Sequence, residues 1–160
     1  MGVQVRTRLR GVGAAVVVLA SVWLVGTAWA APGTAARVSA HASEYGLTLW
    51  GPNGKVVYVF GADRGSVSRC YGVCATAWPP LLTSGAPLAG PGVEAKLLGT
   101  TKRSDGSSQV TYNGHPLYYY SADMPGKIMC QHANMHGGVW LIVNPNGQPN
   151  MAKGMMTMHK

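Results

Sequence analysis

The chain has 160 residues, which is room for one ordinary domain and not for a second sizeable core. Charged residues make up 11% and aromatic residues 8%, both low, while 22 glycines and 10 prolines call for many turns and exclude long regular helices. The formal net charge of +8 comes from Lys and Arg scattered singly or in pairs, not from a run that could follow a phosphate backbone, so nucleic acid is not an expected partner.

Arg6, Arg8 and Arg10 lead into an almost unbroken apolar stretch from Gly11 to Trp29, and Ala28-Trp29-Ala30 puts small residues at the two positions a signal peptidase reads. The pattern predicts an export signal over residues 1–30. Left uncleaved, that segment is also the only membrane attachment expected. A secreted, periplasmic or cell-envelope location follows, and with it an oxidising compartment. The first cysteine is Cys70, so no thiol is placed to carry an acyl chain near the cleavage site. Residues 31–45 read as an N-terminal linker.

Leu47–Trp50 and Lys55–Phe60 flank Gly51-Pro52-Asn53-Gly54, which predicts strand, turn and strand. One helical turn is expected between Cys70 and Trp78, stopped by Pro79-Pro80. Residues 83–95, rich in Gly, Pro and Ala, read as a connector. A strand is expected at Lys96–Thr101, and Asn113-Gly114 between Gln109–Tyr112 and Leu117–Tyr120 is a strong hairpin signal. The last strand is expected at Gly138–Val143, followed by the turn residues Asn144-Pro145-Asn146-Gly147, and 147–160 read as a Met-rich tail.

Residues 53–70 set against 113–130 without gaps match at Asn53/Asn113, Gly54/Gly114, Tyr58/Tyr118, Ala62/Ala122, Asp63/Asp123 and Cys70/Cys130. Chance pairing of that window gives about one identity, so the chain reads as a duplication, with Trp78 and Trp140 corresponding if the second copy is two residues longer. The expected fold is therefore all-β. Two related β-hairpin units, one over about 46–82 and one over about 107–146, pack as one pseudo-symmetric domain with at most short helical turns.

The duplicated core is Tyr, any residue, aromatic, two residues, Asp: Tyr58, Phe60 and Asp63 in one copy, Tyr118, Tyr120 and Asp123 in the other. On a strand the two rings share a face and can cover a common interior, and the Asp can hold a turn through backbone N–H groups. The alternative makes the Tyr hydroxyls and the Asp a polar rim for a ligand. The motif, with Cys70-Tyr71-Gly72-Val73-Cys74-Ala75-Thr76-Ala77-Trp78-Pro79-Pro80-Leu81 and Tyr112-Asn113-Gly114-His115-Pro116-Leu117-Tyr118, resembles a bacterial family of secreted proteins and predicted lipoproteins named for Yx(F/W/Y)xxD. The resemblance covers about 45–147. It implies fold and location, and it implies no activity.

Two departures from that family stand out. The acylated cysteine of many relatives is absent. Where the family has Gly, Asp and Asn after its motif, this chain has Met124-Pro125-Gly126-Lys127-Ile128-Met129-Cys130-Gln131-His132-Ala133-Asn134-Met135-His136, a run of soft ligands.

Cys70 and Cys74 are spaced for a disulfide or for two thiolates on one soft metal ion, and a Cys70–Cys130 bridge between the copies is the second disulfide option. Thiolate, imidazole and thioether together suit copper, above all Cu(I), which makes copper the one candidate cofactor, with Cys130, His132 and His136 as ligands and Met129 and Met135 assisting. Zinc would find those same three ligands and no clear fourth. Seven of the eight methionines lie after position 123. There is no GxSxG elbow, HExxH or carboxylate pair, so no enzymatic activity is expected. The expected function is an exported cell-envelope binding module for copper, with an envelope or redox protein as the class of partner. The alternatives are a structural or protein-interaction module without metal, and a thiol redox or electron-transfer accessory using Cys70 and Cys74.

Overall fold

The computed structural model describes residues 1–2 and 33–153. The expected export signal and the end of the Met-rich tail lie outside the described residues. The chain is all-β, with nine short strands in three three-stranded sheets and one five-residue helix among the described residues. No helix among them is long and apolar enough to cross a membrane.

Strand β1 (Arg37–Ser43) turns at Glu44-Tyr45 into β2 (Gly46–Trp50), its antiparallel partner from Ser43↔Gly46 to Ser39↔Trp50. Seven residues of the expected linker over 31–45 are thus a strand. Its inward residues are small: Ala36 and Val38 are buried, and short alanines and serines gave the segment the composition of a linker. The expected connector over 83–95 likewise contains a two-residue strand, β4 (Leu88–Ala89), laid parallel against the start of β1.

Strand β3 (Tyr58–Phe60) carries the first motif, and helix α1 (Val73–Ala77) ends ahead of Pro79-Pro80 as the prolines require. A 3-10 turn at Ala95–Leu97 leads into β5 (Leu98–Lys102), which pairs with β6 (Ser108–Tyr112). Asn113 and Gly114 both adopt positive φ, the type I′ geometry that two-residue hairpins favour, and return the chain into β7 (His115–Pro116). The last hairpin is β8 (Ala133–Met135) and β9 (Gly138–Ile142), joined through His136 and Gly137, again both at positive φ.

Each copy forms its expected hairpin, Val57 N–H donating to Leu49 C=O in the first and Leu117 N–H to Val110 C=O in the second, but the two halves are not independent. They exchange their last segments. In the first copy β3 pairs with β9 of the second, with Tyr58↔Ile142, Val59↔Leu141 and Phe60↔Trp140 in register. Reciprocally, Tyr119 N–H donates to Pro79 C=O at 2.8 Å and Leu81 N–H to Leu117 C=O at 2.9 Å. Leu49 N–H donates to Val143 C=O and Val110 N–H to Leu81 C=O, a second matched pair. Between the copies, Tyr58 and Tyr118 exchange both backbone hydrogen bonds at 2.8 and 2.9 Å, which places the pseudo-twofold axis beside them. Pro79 and Pro80 have no N–H to give, so the 79–81 segment makes only an isolated bridge where Leu141-Ile142 makes a ladder.

The motif strands separate two cores because their side chains alternate. Val57, Val59, Leu117, Leu141 and Val143 face an aliphatic cluster with Leu49, Leu81 and Val110. Tyr58, Phe60, Tyr118, Trp140 and Ile142 face an aromatic cluster with Trp78 and Cys70.

Candidate functional site

Around the pseudo-twofold axis lies a polar arrangement reached by no single repeat. The Tyr58 hydroxyl donates to Asp123 Oδ2 at 2.7 Å, and the Tyr118 hydroxyl donates to Asp63 Oδ2 at 2.8 Å, so each tyrosine serves the aspartate of the other copy. The second carboxylate oxygens hold their own loops: Asp63 Oδ1 accepts Arg69 N–H at 2.7 Å and Asp123 Oδ1 accepts Met129 N–H at 3.0 Å. Burial pushes both tyrosine phenols well above their ordinary range, which keeps the donors protonated. It also raises both carboxyls, outweighing the hydrogen bonds that favour their charged form. With Tyr58 and Tyr118 fully buried and Asp123 2% exposed, this is an internal latch and not a rim open to ligand. The Asp-held turn was legible in the sequence; the crossing of the hydroxyls was not.

Next to the latch the aromatic residues form a four-ring stack, Phe60, Trp140, Trp78 and Tyr120 in that order. The ring centroids are 4.1, 3.9 and 4.6 Å apart, and the two indoles lie within 4° of parallel. Tyr58 stands edge-on to Trp78 and Tyr118 edge-on to Trp140, both at 5.2 Å. The indole N–H of Trp140 donates to Met135 C=O, whereas that of Trp78 is buried without an acceptor among the described residues.

The loops that follow the two aspartates are where the copies differ. In the first, Cys70 and Cys74 form a disulfide, the first of the two expected pairings, and the Cys70–Cys130 bridge does not occur. Arg103 is sealed against that loop, donating to Ser68 Oγ at 2.9 Å, Gln109 Oε1 at 2.7 Å and Cys70 C=O at 2.8 Å, with its guanidinium 4.3 Å from the Tyr71 ring centroid. Cys70 is fully buried and Cys74 is 7% exposed, which removes the disulfide from the reach of an exchanging thiol. The sequence did not single out Arg103; the absence of a matching cation in the other copy was its only signal.

In the second copy Cys130 is a free, half-buried thiol beside the Tyr120 hydroxyl, and burial raises its pKa. Met124, Met129, Met135 and Met151 are all exposed. Residues 147–152, expected as free tail, are partly docked: Asn150 is buried, Gln131 Nε2 donates to Asn150 C=O at 2.7 Å and to Ala152 C=O at 3.2 Å, and His132 Nε2 lies 3.2 Å from Met151 C=O. A carbonyl only accepts, so Nε2 of His132 is the donor in this contact. The expected cage of Cys130, His132 and His136 is not assembled. Among the described residues no three His, Cys, Asp or Glu side chains group as a metal site. The reason is local: Cys130 packs toward the aromatic cluster, His132 turns to the docked chain end, and His136 occupies a hairpin turn.

A duplicated all-β chain whose halves are interlocked around mirrored Tyr–Asp pairs is a repeat protein in which two copies build one fold. A family model described as a secreted repeat of unknown function matches twice, over residues 39–82 and 99–144, and the chain belongs to that family. Its location is accordingly secreted or in the cell envelope. No curated protein and no solved structure matches it.

Proposed function

We propose that the protein is an exported binding module, not an enzyme, whose working surface is the second-copy loop 124–136, and that its ligand is Cu(I). The observation that carries this reading is the difference between two copies of one unit. In the first, the thiol after the motif is closed in a disulfide and its loop is tied down by Arg103; in the second, the equivalent thiol is free and its loop exposes thioethers. Soft thiolate, thioether and imidazole groups select Cu(I) over hard cations. Cys130 and His132, with the Nδ1 of His132 oriented by its other nitrogen, are the central ligands, Met129 and Met135 assist, and His136 lies at the edge. The Met151 C=O lies 3.2 Å from His132 Nε2, and Met155, Met156, Met158 and His159 follow it in sequence.

Titration of reduced protein with Cu(I) against a chromophoric chelator tests this. Replacing Cys130 by Ser and His132 by Ala should abolish competition with the chelator while leaving the circular dichroism unchanged; retained affinity removes the site. The absence of a preassembled three-ligand group favours the second reading, an interaction module without metal, and that reading predicts no Cu(I) uptake by the unmodified chain.

A further inference from the structure

We propose that the Phe60–Trp140–Trp78–Tyr120 stack conducts one-electron oxidation from the interior to a solvent-facing exit at Tyr120 and Cys130, the Tyr58 and Tyr118 rings against the same indoles being fully buried. This does not rest on copper binding. The two indoles are in van der Waals contact and nearly parallel, and Tyr120 follows at 4.6 Å with its ring tilted by 38°, so each ring is one short step from the next. The duplication places one aromatic ring at each end, Phe60 at 4.1 Å and Tyr120 at 4.6 Å from the nearer indole, but the chemistry of the two ends differs. At one end stands Phe60, which is hard to oxidise, and the thiol of that copy is already consumed in the Cys70–Cys74 disulfide. At the other end stands Tyr120, with the free Cys130 thiol packed against the same cluster.

A second, independent observation concerns Trp78. Its buried N–H has no hydrogen-bond acceptor among the described residues, an unusual state for a buried donor. An indole that loses an electron becomes strongly acidic, and with nowhere to send the proton Trp78 remains a radical cation, an oxidant strong enough to pass the hole onward. Trp140 faces only a backbone carbonyl, which is no base.

The sequence of steps balances. A one-electron oxidant such as a peroxyl radical takes an electron from the indole pair and leaves as its reduced anion. Trp78 recovers that electron from Tyr120, whose phenolic proton passes to water at its half-exposed ring. The phenoxyl then takes a hydrogen atom from Cys130, the S–H bond breaking as the O–H bond re-forms. A small thiol returns a hydrogen atom to the half-exposed Cys130 and carries the radical away. The protein would thereby drain oxidising equivalents from its own core in the compartment where they arise.

The test uses metal-free, reduced protein, photogenerated tris-bipyridyl ruthenium(III) as oxidant, and freeze-quenched electron paramagnetic resonance. Cys130→Ser should accumulate a tyrosyl signal. Adding Tyr120→Phe should remove it and leave a tryptophan radical. The fold accepts Phe at this position, since Phe60 is its counterpart in the other copy. Phe60→Tyr should open a second exit and restore a tyrosyl signal to the Cys130→Ser/Tyr120→Phe background. A tyrosyl signal that survives Tyr120→Phe, or the same radical and decay with and without Cys130, overturns the proposal.

Discussion

Tyr58 and Asp123 lie sixty-five positions apart in sequence and 2.7 Å apart in space, and their hydrogen bond has a mirror image in Tyr118 and Asp63 at 2.8 Å. The motif is thus a device for joining copies. Its tyrosine and aspartate do not bond within one repeat; each looks across the axis for its partner. A single copy would leave a buried carboxylate without its O–H donor and its last segment unpaired, so the repeat unit and the folding unit are different things.

Removing either hydroxyl should therefore destabilise both halves together. Tyr58→Phe leaves the buried Asp123 carboxylate short of one donor and should cost about 1–3 kcal/mol, and Tyr118→Phe, facing the half-buried Asp63, should fall at the lower end of that range. A double-mutant cycle of Tyr58→Phe with Asp123→Ala in urea should give a coupling energy of about 1–2 kcal/mol, and Tyr58→Phe with Asp63→Ala much less. Equal coupling in the two cycles would refute the crossed pairing.

The pH dependence follows from the raised carboxyls. Asp63 and Asp123 bind their protons more tightly in the folded chain than in the unfolded one. The stability they contribute is fully present below the unfolded value of about 3.9 and is lost as pH rises through the raised native values. Acidification from neutrality into that window should widen the stability margin of the wild type over Asp123→Asn, which cannot titrate. Paired urea denaturations at neutral and mildly acidic pH check this, and a narrowing margin contradicts it.

The three thiols should behave in two ways. A short disulfide ring such as Cys70–Cys74 stabilises by about 2 kcal/mol in the loop-entropy account, so the double Cys→Ala variant should lose roughly that. With both sulfurs sealed, mild reductant followed by a thiol reagent should label the native protein once, at Cys130, and three times only after unfolding. Peptide mapping by mass spectrometry reads the difference. Facile labelling of Cys70 or Cys74 in the native state would revive the dithiol redox reading.

How much of this was legible in the sequence depended on the range of the interaction. Asn113-Gly114 announced its hairpin because the constraint is local, a pair of positive φ angles. The Trp78/Trp140 correspondence survived a two-residue offset because large rings on one face are easy to match, and they prove to be stacked partners. The strand at Arg37–Ser43 was hidden because its inward side chains are small and its partner, not its own propensity, makes it a strand. The exchange of last segments was hidden for a deeper reason. A duplicated sequence specifies what each unit pairs with but not whose copy supplies it, since either choice satisfies the same pattern. The metal constellation read from Cys130, His132 and His136 failed as a preassembled cage because adjacency in sequence says nothing of direction when one residue faces the core and another sits in a turn.

The place where the copies were made unequal on the aliphatic side offers a last test. Tyr119 corresponds to Val59, and its larger ring is accommodated by Gly51: a Cβ built there would lie 2.0 Å from the Tyr119 hydroxyl oxygen and 2.7 Å from Cζ. Gly51→Ala must therefore push a partly buried ring aside and should cost about 1–3 kcal/mol. Tyr119→Val, which installs the residue the other copy uses, removes the obstruction at the expense of buried ring area. The two substitutions should then be strongly non-additive, the double variant being more stable than the sum of the single losses predicts. Chemical denaturation of the four proteins measures this, and simple additivity would show that Gly51 is there for its backbone alone.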